Sequence, residues 1–185
     1  MNVSSTHTPD VPREGRRLVL LRHAKAEPGS DPVPDADRPL ALRGRKQAGR
    51  VGSALTAAHL VPDLALVSSA LRTRQTWELA AAHLPSHESI TVDVRDELYA
   101  ASVKDVLELV RGAADDVTTV LVVGHEPTMA ATAAYLAAPG SDDAALAQVR
   151  VGVPTATYSV LHAEDLPWSR WGKNSATLVR VGRPS

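Results

Sequence analysis

The stretch RLVLLRHAK, residues 17–25, decides the fold of this chain. Its apolar residues, Leu18 to Leu21, form a short continuous run. A run of this kind predicts a strand that is buried on both faces, as strands are in a parallel sheet. Arg22 and His23 follow the run directly, so two polar side chains stand at the carboxyl end of the predicted strand.

Similar apolar runs alternate with helical patterns along the rest of the chain. In a helical pattern, apolar residues recur every three or four positions, and capping residues, Pro or Gly mark the ends. The alternation predicts an α/β fold, a three-layer α/β/α sandwich in which helices cover both faces of a mostly parallel central sheet. Further strands are predicted over residues 64–67, 90–94, 117–123, 155–162 and 176–181, and helices over residues 42–60, 70–84 and 102–112 and after Pro127.

Two segments are predicted to be loops that shape a substrate pocket. Residues 27–39 hold four prolines and predict no regular element, because proline removes a backbone donor and restricts φ. Residues 138–153 are expected to be the second loop. Residues 1–15 are polar and are predicted to be a disordered N-terminal segment, which leaves residues 16–185 as a single domain.

The composition argues against several classes of function. A net charge of −1 and an aromatic content of 3% give no support to a nucleic-acid-binding surface. The chain has no Cys, so thiolate zinc sites and cysteine nucleophiles are excluded. No apolar run approaches the roughly 20 residues that span a bilayer, and the N-terminus lacks a signal-peptide pattern. We therefore expect a cytoplasmic protein that does not bind membranes; its oligomeric state is left open.

Three of the predicted strands are followed by residues that suit phosphate binding. Arg22 and His23 follow the first strand, Arg72 lies just after the second, and His125 follows the strand over residues 117–123. The carboxyl ends of parallel strands meet at one edge of a sheet, where α/β proteins bind ligands. Arginine donates paired, charge-assisted hydrogen bonds to phosphate, and a neutral imidazole can attack phosphorus and carry it covalently. The set predicts phosphoryl transfer, which depends on positioning and positive charge.

The motifs around these residues resemble those of the histidine phosphatase superfamily. LRHAKA (residues 21–26) resembles the RHG or RHA signature of the family. SSALRTRQT (68–76) resembles its S-P-x-x-R-A-x-Q-T segment, and VGHEP (123–127) resembles its second-histidine motif. The resemblance extends from about Leu18 to Val181 and implies a phosphoglycerate mutase-like fold.

A further group of residues is similar to the SixA-like branch of that family, the phosphohistidine phosphatases. It consists of DRPL (37–40), Arg43-Gly44 and Gln47-Ala48. Two positions depart from the family pattern: Ser69 stands where Pro is usual, and Thr73 stands where Ala is usual. Neither change removes a charged group.

The resemblance implies a role for each residue of the set. His23 is the nucleophile and becomes phosphohistidine, Arg22 and Arg72 bind the phosphate, and His125 binds it from the far side. It implies no metal and no other cofactor, because guanidinium and imidazole groups supply the positive charge. The expected activity is hydrolysis of a phosphomonoester or of protein phosphohistidine. The expected partner is a phosphorylated small molecule or a phosphohistidine-bearing protein.

The group that protonates the leaving group has three candidates. Glu97 lies in the region where many relatives place their acid, and we favour it. Asp96 is its neighbour, and Glu126 follows His125 at the position where the acid phosphatase branch carries its Asp. A phosphohistidine substrate would lessen the need for an acid, because imidazole leaves more readily than an alkoxide.

Two alternative functions stay open on the sequence. One is a non-catalytic module that binds phosphate or phosphohistidine. The other is a small-metabolite phosphatase or mutase of the same superfamily, although mutases typically have longer chains with more lid residues.

Overall fold

The computed structural model describes residues 10–185 and contains one six-stranded mixed sheet in that range. The strands are β1 Arg16–Arg22, β2 Leu64–Ser68, β3 Thr91–Arg95, β4 Thr119–Gly124, β5 Tyr158–Ala163 and β6 Thr177–Gly182. The α-helices are α1 Leu42–Ala57, α2 Leu71–Ala81, α3 Val103–Arg111, α4 Thr128–Leu136 and α5 Asp143–Val151. Single turns of 3-10 helix lie at Asp35–Asp37, His87–Ser89, Asp96–Leu98 and Trp168–Arg170.

The order of the strands across the sheet is β3-β2-β4-β1-β5-β6. The first four strands are parallel to one another. At the other edge, β5 is antiparallel to both of its neighbours, β1 and β6. The prediction of a mostly parallel α/β sheet is therefore confirmed. β1 and β4 lie in the interior of the sheet, which explains why each is an unbroken apolar run.

The two faces of the sheet carry two separate cores, because alternate residues of a strand point to opposite faces. Leu18 and Leu20 of β1 pack with α3, α4 and α5, whereas Val19 and Leu21 pack with α1 and α2. This arrangement confirms the predicted three layers. Close approach of α1 to the loop after β1 requires Gly44, since a Cβ at that position would overlap the backbone of Lys25.

Two of the predicted loops contain regular structure. Residues 138–153 hold α5, which the prediction missed because only Ala145 and Val149 of the helix are buried and its apolar pattern is weak. The helix begins where the Asp142 carboxylate accepts a hydrogen bond from the Ala145 amide at 2.8 Å. Residues 27–39 hold the 3-10 turn Asp35–Asp37, a turn too short to need a periodic pattern. The prediction for residues 1–15 falls partly on residues 1–9, which lie outside the described residues.

The helices of the described range are too short or too polar to cross a bilayer. The longest of them, α1, runs for 16 residues.

Candidate active site

The register of the sheet brings three strand ends to the same level. Arg22, the last residue of β1, pairs with Gly124, the last residue of β4. His23 and His125 therefore each begin the loop beyond this pair. β2 ends beside β4 as well, at Ser68. Residues that are distant in sequence meet at one edge of the sheet because parallel strands end there together.

The side chain of His23 is held in one orientation at the bottom of this cluster. Its backbone N–H donates to the Gly124 carbonyl at 3.1 Å, and its own carbonyl accepts from the Ala156 amide at 3.1 Å. The ring is buried, and Nδ1 lies 2.7 Å from the Ala24 carbonyl oxygen. Because a carbonyl can only accept, Nδ1 carries the proton, and the lone pair of the ring lies on Nε2.

Burial lowers the pKa of His23 to about 4, and the positive charges of Arg72 and Arg22 act in the same direction. The imidazole is consequently neutral at neutral pH. A neutral ring with a free Nε2 lone pair is the form that can attack phosphorus.

His125 faces His23 across the site, with 5.4 Å between the ring centroids and 56° between the ring planes. Its Nε2 lies 2.8 Å from the Ser68 hydroxyl, and its Nδ1 lies 3.4 Å from Nη2 of Arg72. Burial, followed by the proximity of His23 and Arg72, lowers the pKa of His125 to about 3. The ring of Tyr99 meets that of His125 edge to face, with the centroids 5.6 Å apart.

Two arginines lie close enough to the two histidines for their charges to act on both rings. Arg72 lies in the first turn of α2 and is buried, while Arg22 is half-buried and donates from Nη1 to the Val153 carbonyl at 2.8 Å. The Nε atoms of both arginines are buried, and neither has a hydrogen-bond partner among residues 10–185. Buried guanidinium donors beside two neutral imidazoles form a site for a multiply charged oxyanion.

Sequence and structure comparisons identify the family of this chain. The sequence model of the histidine phosphatase superfamily (branch 1) matches residues 18–106. A candidate SixA phosphohistidine phosphatase from Nakamurella multipartitia is 34% identical, with a TM-score of 0.78 over 94% of this chain and 99% of that one. The chain belongs to the histidine phosphatase superfamily. Within it, the chain falls in the SixA-like branch and is a phosphatase.

Two other relatives extend the comparison. An uncharacterized protein from Mycobacterium tuberculosis is 41% identical over 160 residues, which cover 86% of this chain and 96% of that protein. The protein histidine phosphatase SixA in complex with tungstate has a TM-score of 0.71 over 91% of this chain and 97% of its own. Since its identity is 23%, this last likeness shows the fold alone.

Sequence reasoning gave no role to Ser68 and Tyr99, which contact His125, or to Asp35, which binds Arg72. The backbone carbonyl and carboxylate of Asp35 accept from Nη1 and Nη2 of Arg72 at 2.9 and 3.1 Å. Arg38 donates from Nε to Oδ1 at 2.8 Å, and the Tyr99 hydroxyl donates to Oδ2 at 2.6 Å. The hydrogen bond from Tyr99, with those from Arg38 and Arg72, lowers the pKa of Asp35 to about 2. The available signal was a carboxylate two residues before DRPL (37–40), the segment similar to the SixA-like branch.

Each of the predicted proton donors Glu97 and Glu126 has partners other than the two histidines. Glu97 is exposed, and its carboxylate accepts from Arg95 at 3.3 Å. Glu126 accepts from the backbone amides of Ala130 and Val153 at 2.9 and 3.1 Å. No hydrogen bond links Glu97, Asp96 or Glu126 to His23 or His125 in the part of the chain that the structure describes. The assignment of Glu97 as the donor stays a prediction.

No group of three or more His, Cys, Asp or Glu side chains between residues 10 and 185 has the arrangement of a metal site. The prediction that the reaction needs no metal is tested by the chelation experiment described below.

Proposed function

We propose that this phosphatase transfers the phosphoryl group of its substrate to Nε2 of His23, hydrolyses the resulting phosphohistidine, and acts on phosphohistidine of a protein. One observation carries the proposal. His23 is buried with Nδ1 bound to the Ala24 carbonyl, so that Nε2 is free, and it faces His125 at 5.4 Å beside Arg72.

The arrangement supports a role for each ligand of the phosphoryl group. Arg22 and Arg72 would bind its oxygens through Nη hydrogens that Val153, Asp35 and His125 do not engage, and the buried environment strengthens these charged hydrogen bonds. His125 is neutral in the free site. A phosphoryl dianion favours the protonated form of a nearby imidazole, so Nδ1 of His125 would gain a proton and donate to an oxygen. The positive charge would thus be greatest when the substrate is bound.

The preference for phosphohistidine rests on the leaving group. An alkyl ester leaves as an alkoxide unless an acid protonates it. Among the carboxylates near the site, Glu97 is ion-paired with Arg95, Glu126 accepts from two backbone amides, and Asp35 is ionised at neutral pH. Imidazole needs no such acid when its other nitrogen is protonated. Similarity to the SixA-like branch supports the same substrate class.

The test measures hydrolysis of 4-nitrophenyl phosphate and of a peptide carrying phosphohistidine, both in the presence of EDTA. The wild-type protein is expected to hydrolyse both, and His23→Ala is expected to lose about a thousandfold or more in kcat/KM. Rapid quenching should trap an acid-labile, alkali-stable phosphate on the wild type. His87→Ala, which changes an exposed histidine of a surface turn, is the matched control.

Three results would contradict the proposal. Turnover that EDTA abolishes would overturn the metal-free mechanism. Trapped phosphate that persists in His23→Ala would show that a residue other than His23 is the nucleophile. Hydrolysis of the aryl phosphate with no hydrolysis of phosphohistidine would show that the protein is a phosphatase but that phosphohistidine is not its substrate.

A further inference from the structure

Asp35 lies on the solvent side of the phosphate-binding residues. Its side chain is 53% exposed, whereas that of the Arg72 to which it binds is 7% exposed. His23 is also buried, and the attacking and leaving atoms lie roughly in line on opposite sides of phosphorus. A phosphoryl group attacked from the buried His23 therefore presents its leaving group outward, on the side where Asp35 stands.

The carboxylate of Asp35 is held in place by three hydrogen bonds and can still accept one more. Its Oδ2 accepts from Arg72 and Tyr99, and its Oδ1 accepts from Arg38. An ionised carboxylate offers about four acceptor positions, so one position on Oδ1 remains after these three bonds. A negative charge held here would stabilise a leaving group that carries an N–H and would repel one that carries a negative charge.

We infer that Asp35 is a catalytic residue that accepts the ring N–H of the departing imidazole when the substrate is phosphohistidine. The inference rests on the proposed function and adds to it a group that recognises the leaving group. It makes Asp35 specific for P–N substrates, a role distinct from that of Arg72, which would serve any phosphoryl group.

The step balances without an added acid. The Nε2 lone pair of His23 forms a bond to phosphorus, the substrate P–N bond breaks, and its electron pair goes to the departing nitrogen. The substrate ring is protonated on its other nitrogen from the start and leaves as neutral imidazole. Its N–H remains hydrogen-bonded to the Asp35 carboxylate. His23 becomes the protonated phosphohistidine, with its Nδ1–H on the Ala24 carbonyl. Each of the two rings thus keeps its N–H bound to a fixed oxygen throughout the transfer.

Two other roles for Asp35 predict different behaviour. If the carboxylate only orients Arg72, its loss would slow phosphoryl transfer from every substrate alike. If it instead competes with the phosphoryl group for Arg72, its loss would strengthen binding of every substrate alike. Neither role distinguishes a P–N bond from a P–O bond, so a comparison of two leaving groups separates them from the inference.

The experiment compares Asp35→Asn with the wild type in single turnovers, with enzyme in saturating excess. The substrates are phosphoimidazole and 4-nitrophenyl phosphate, and release of the leaving group is followed. The first-order rate under these conditions does not depend on the fraction of enzyme that is folded. Asp37→Asn removes the same charge from an exposed side chain of the same turn and is the control.

We expect Asp35→Asn to slow release of imidazole on the order of tenfold to a hundredfold, the usual effect of losing a hydrogen bond to a charged group. Release of 4-nitrophenol should not slow, because the variant lacks the charge that repels an anionic leaving group. Asp37→Asn should leave both rates at the wild-type value. Equal slowing of both substrates, equal acceleration, or no change would each overturn the inference. Absence of turnover of phosphoimidazole by the wild type would instead overturn the proposed function on which it rests.

Discussion

Nη2 of Arg72 lies 3.4 Å from Nδ1 of His125, and this contact determines which ring nitrogen of His125 carries the proton. A guanidinium can only donate, so Nδ1 accepts and the hydrogen lies on Nε2. That hydrogen is directed at the Ser68 hydroxyl, 2.8 Å away. In the free enzyme, the orientation of His125 therefore depends on a residue at the end of the neighbouring strand.

Ser68→Ala should consequently lower activity without removing any predicted phosphate ligand. We expect kcat/KM for an aryl phosphate to fall about threefold to tenfold, the effect of one neutral hydrogen bond. Ser69→Ala, which changes the next residue along the chain, is the control and should be within twofold of the wild type, about the scatter of surface changes. Equal effects of the two substitutions would show that Ser68 does not orient His125.

The shape of the Arg72 guanidinium should matter as well as its charge. It binds Asp35 through Nη1 and Nη2 and contacts His125 through Nη2, three contacts that a lysine ammonium cannot reproduce together. We expect Arg72→Lys to lower kcat/KM about a hundredfold, close to the effect of removing one donor to a developing charge. Arg74→Lys, at an exposed position of the same helix, serves as control. A small effect at Arg72 would mean that charge alone is sufficient.

The two histidines should make folding stability depend on pH. Burial holds the pKa of His23 at about 4 and that of His125 at about 3, below the ordinary value of 6.5. Between pH 6.5 and pH 4 the unfolded chain binds protons at these rings and the folded chain does not. The free energy of unfolding should therefore be highest above about pH 6.5 and fall as the pH approaches 4.

Urea unfolding of the wild type and of His23→Ala across this range measures the contribution of His23. The decrease in stability between pH 7 and pH 4.5 should be smaller in the variant, because one depressed pKa has been removed. Identical decreases in the two proteins would show that His23 titrates normally in the folded state.

Glu126 should act as a positioning residue. Its carboxylate binds the Val153 amide at 3.1 Å, and the carbonyl of that same residue accepts from Arg22 at 2.8 Å. We expect Glu126→Gln to destabilise the protein by about 1–2 kcal/mol. It should also lower kcat/KM severalfold, equally for alkyl and aryl phosphates. A loss confined to alkyl phosphates would identify Glu126 as the proton donor instead.

Glu97 is the donor that the family resemblance favours, and its position in the structure allows a direct test. The carboxylate is exposed and paired with Arg95, so we expect Glu97→Gln to change kcat/KM for an alkyl phosphate by less than about twofold. A tenfold loss for alkyl phosphates, with aryl phosphates unaffected, would establish Glu97 as the donor. Asp96→Asn tests the neighbouring candidate with the same pair of substrates.

The strands and most helices followed from local patterns. The unbroken apolar runs of β1 and β4 predicted buried parallel strands, since interior strands of such a sheet are covered on both faces. Ser102 predicted the start of α3, where the structure has its capping box with Asp105. Helix α5 escaped prediction because only Ala145 and Val149 of it are buried, which leaves a weak apolar pattern. The turn at Asp35–Asp37 escaped because a single turn is too short to show a period.

The sequence by itself determined that His23, His125, Arg22 and Arg72 follow the ends of strands, because the strand signal and the polar residues after it are adjacent along the chain. Only the tertiary structure placed Asp35 on Arg72, 37 positions away, and Ser68 on His125, 57 positions away. The path of a loop and the partner of a long side chain result from packing and from competition among many nearby charges. Those interactions link residues far apart in sequence, and they leave no local pattern to read.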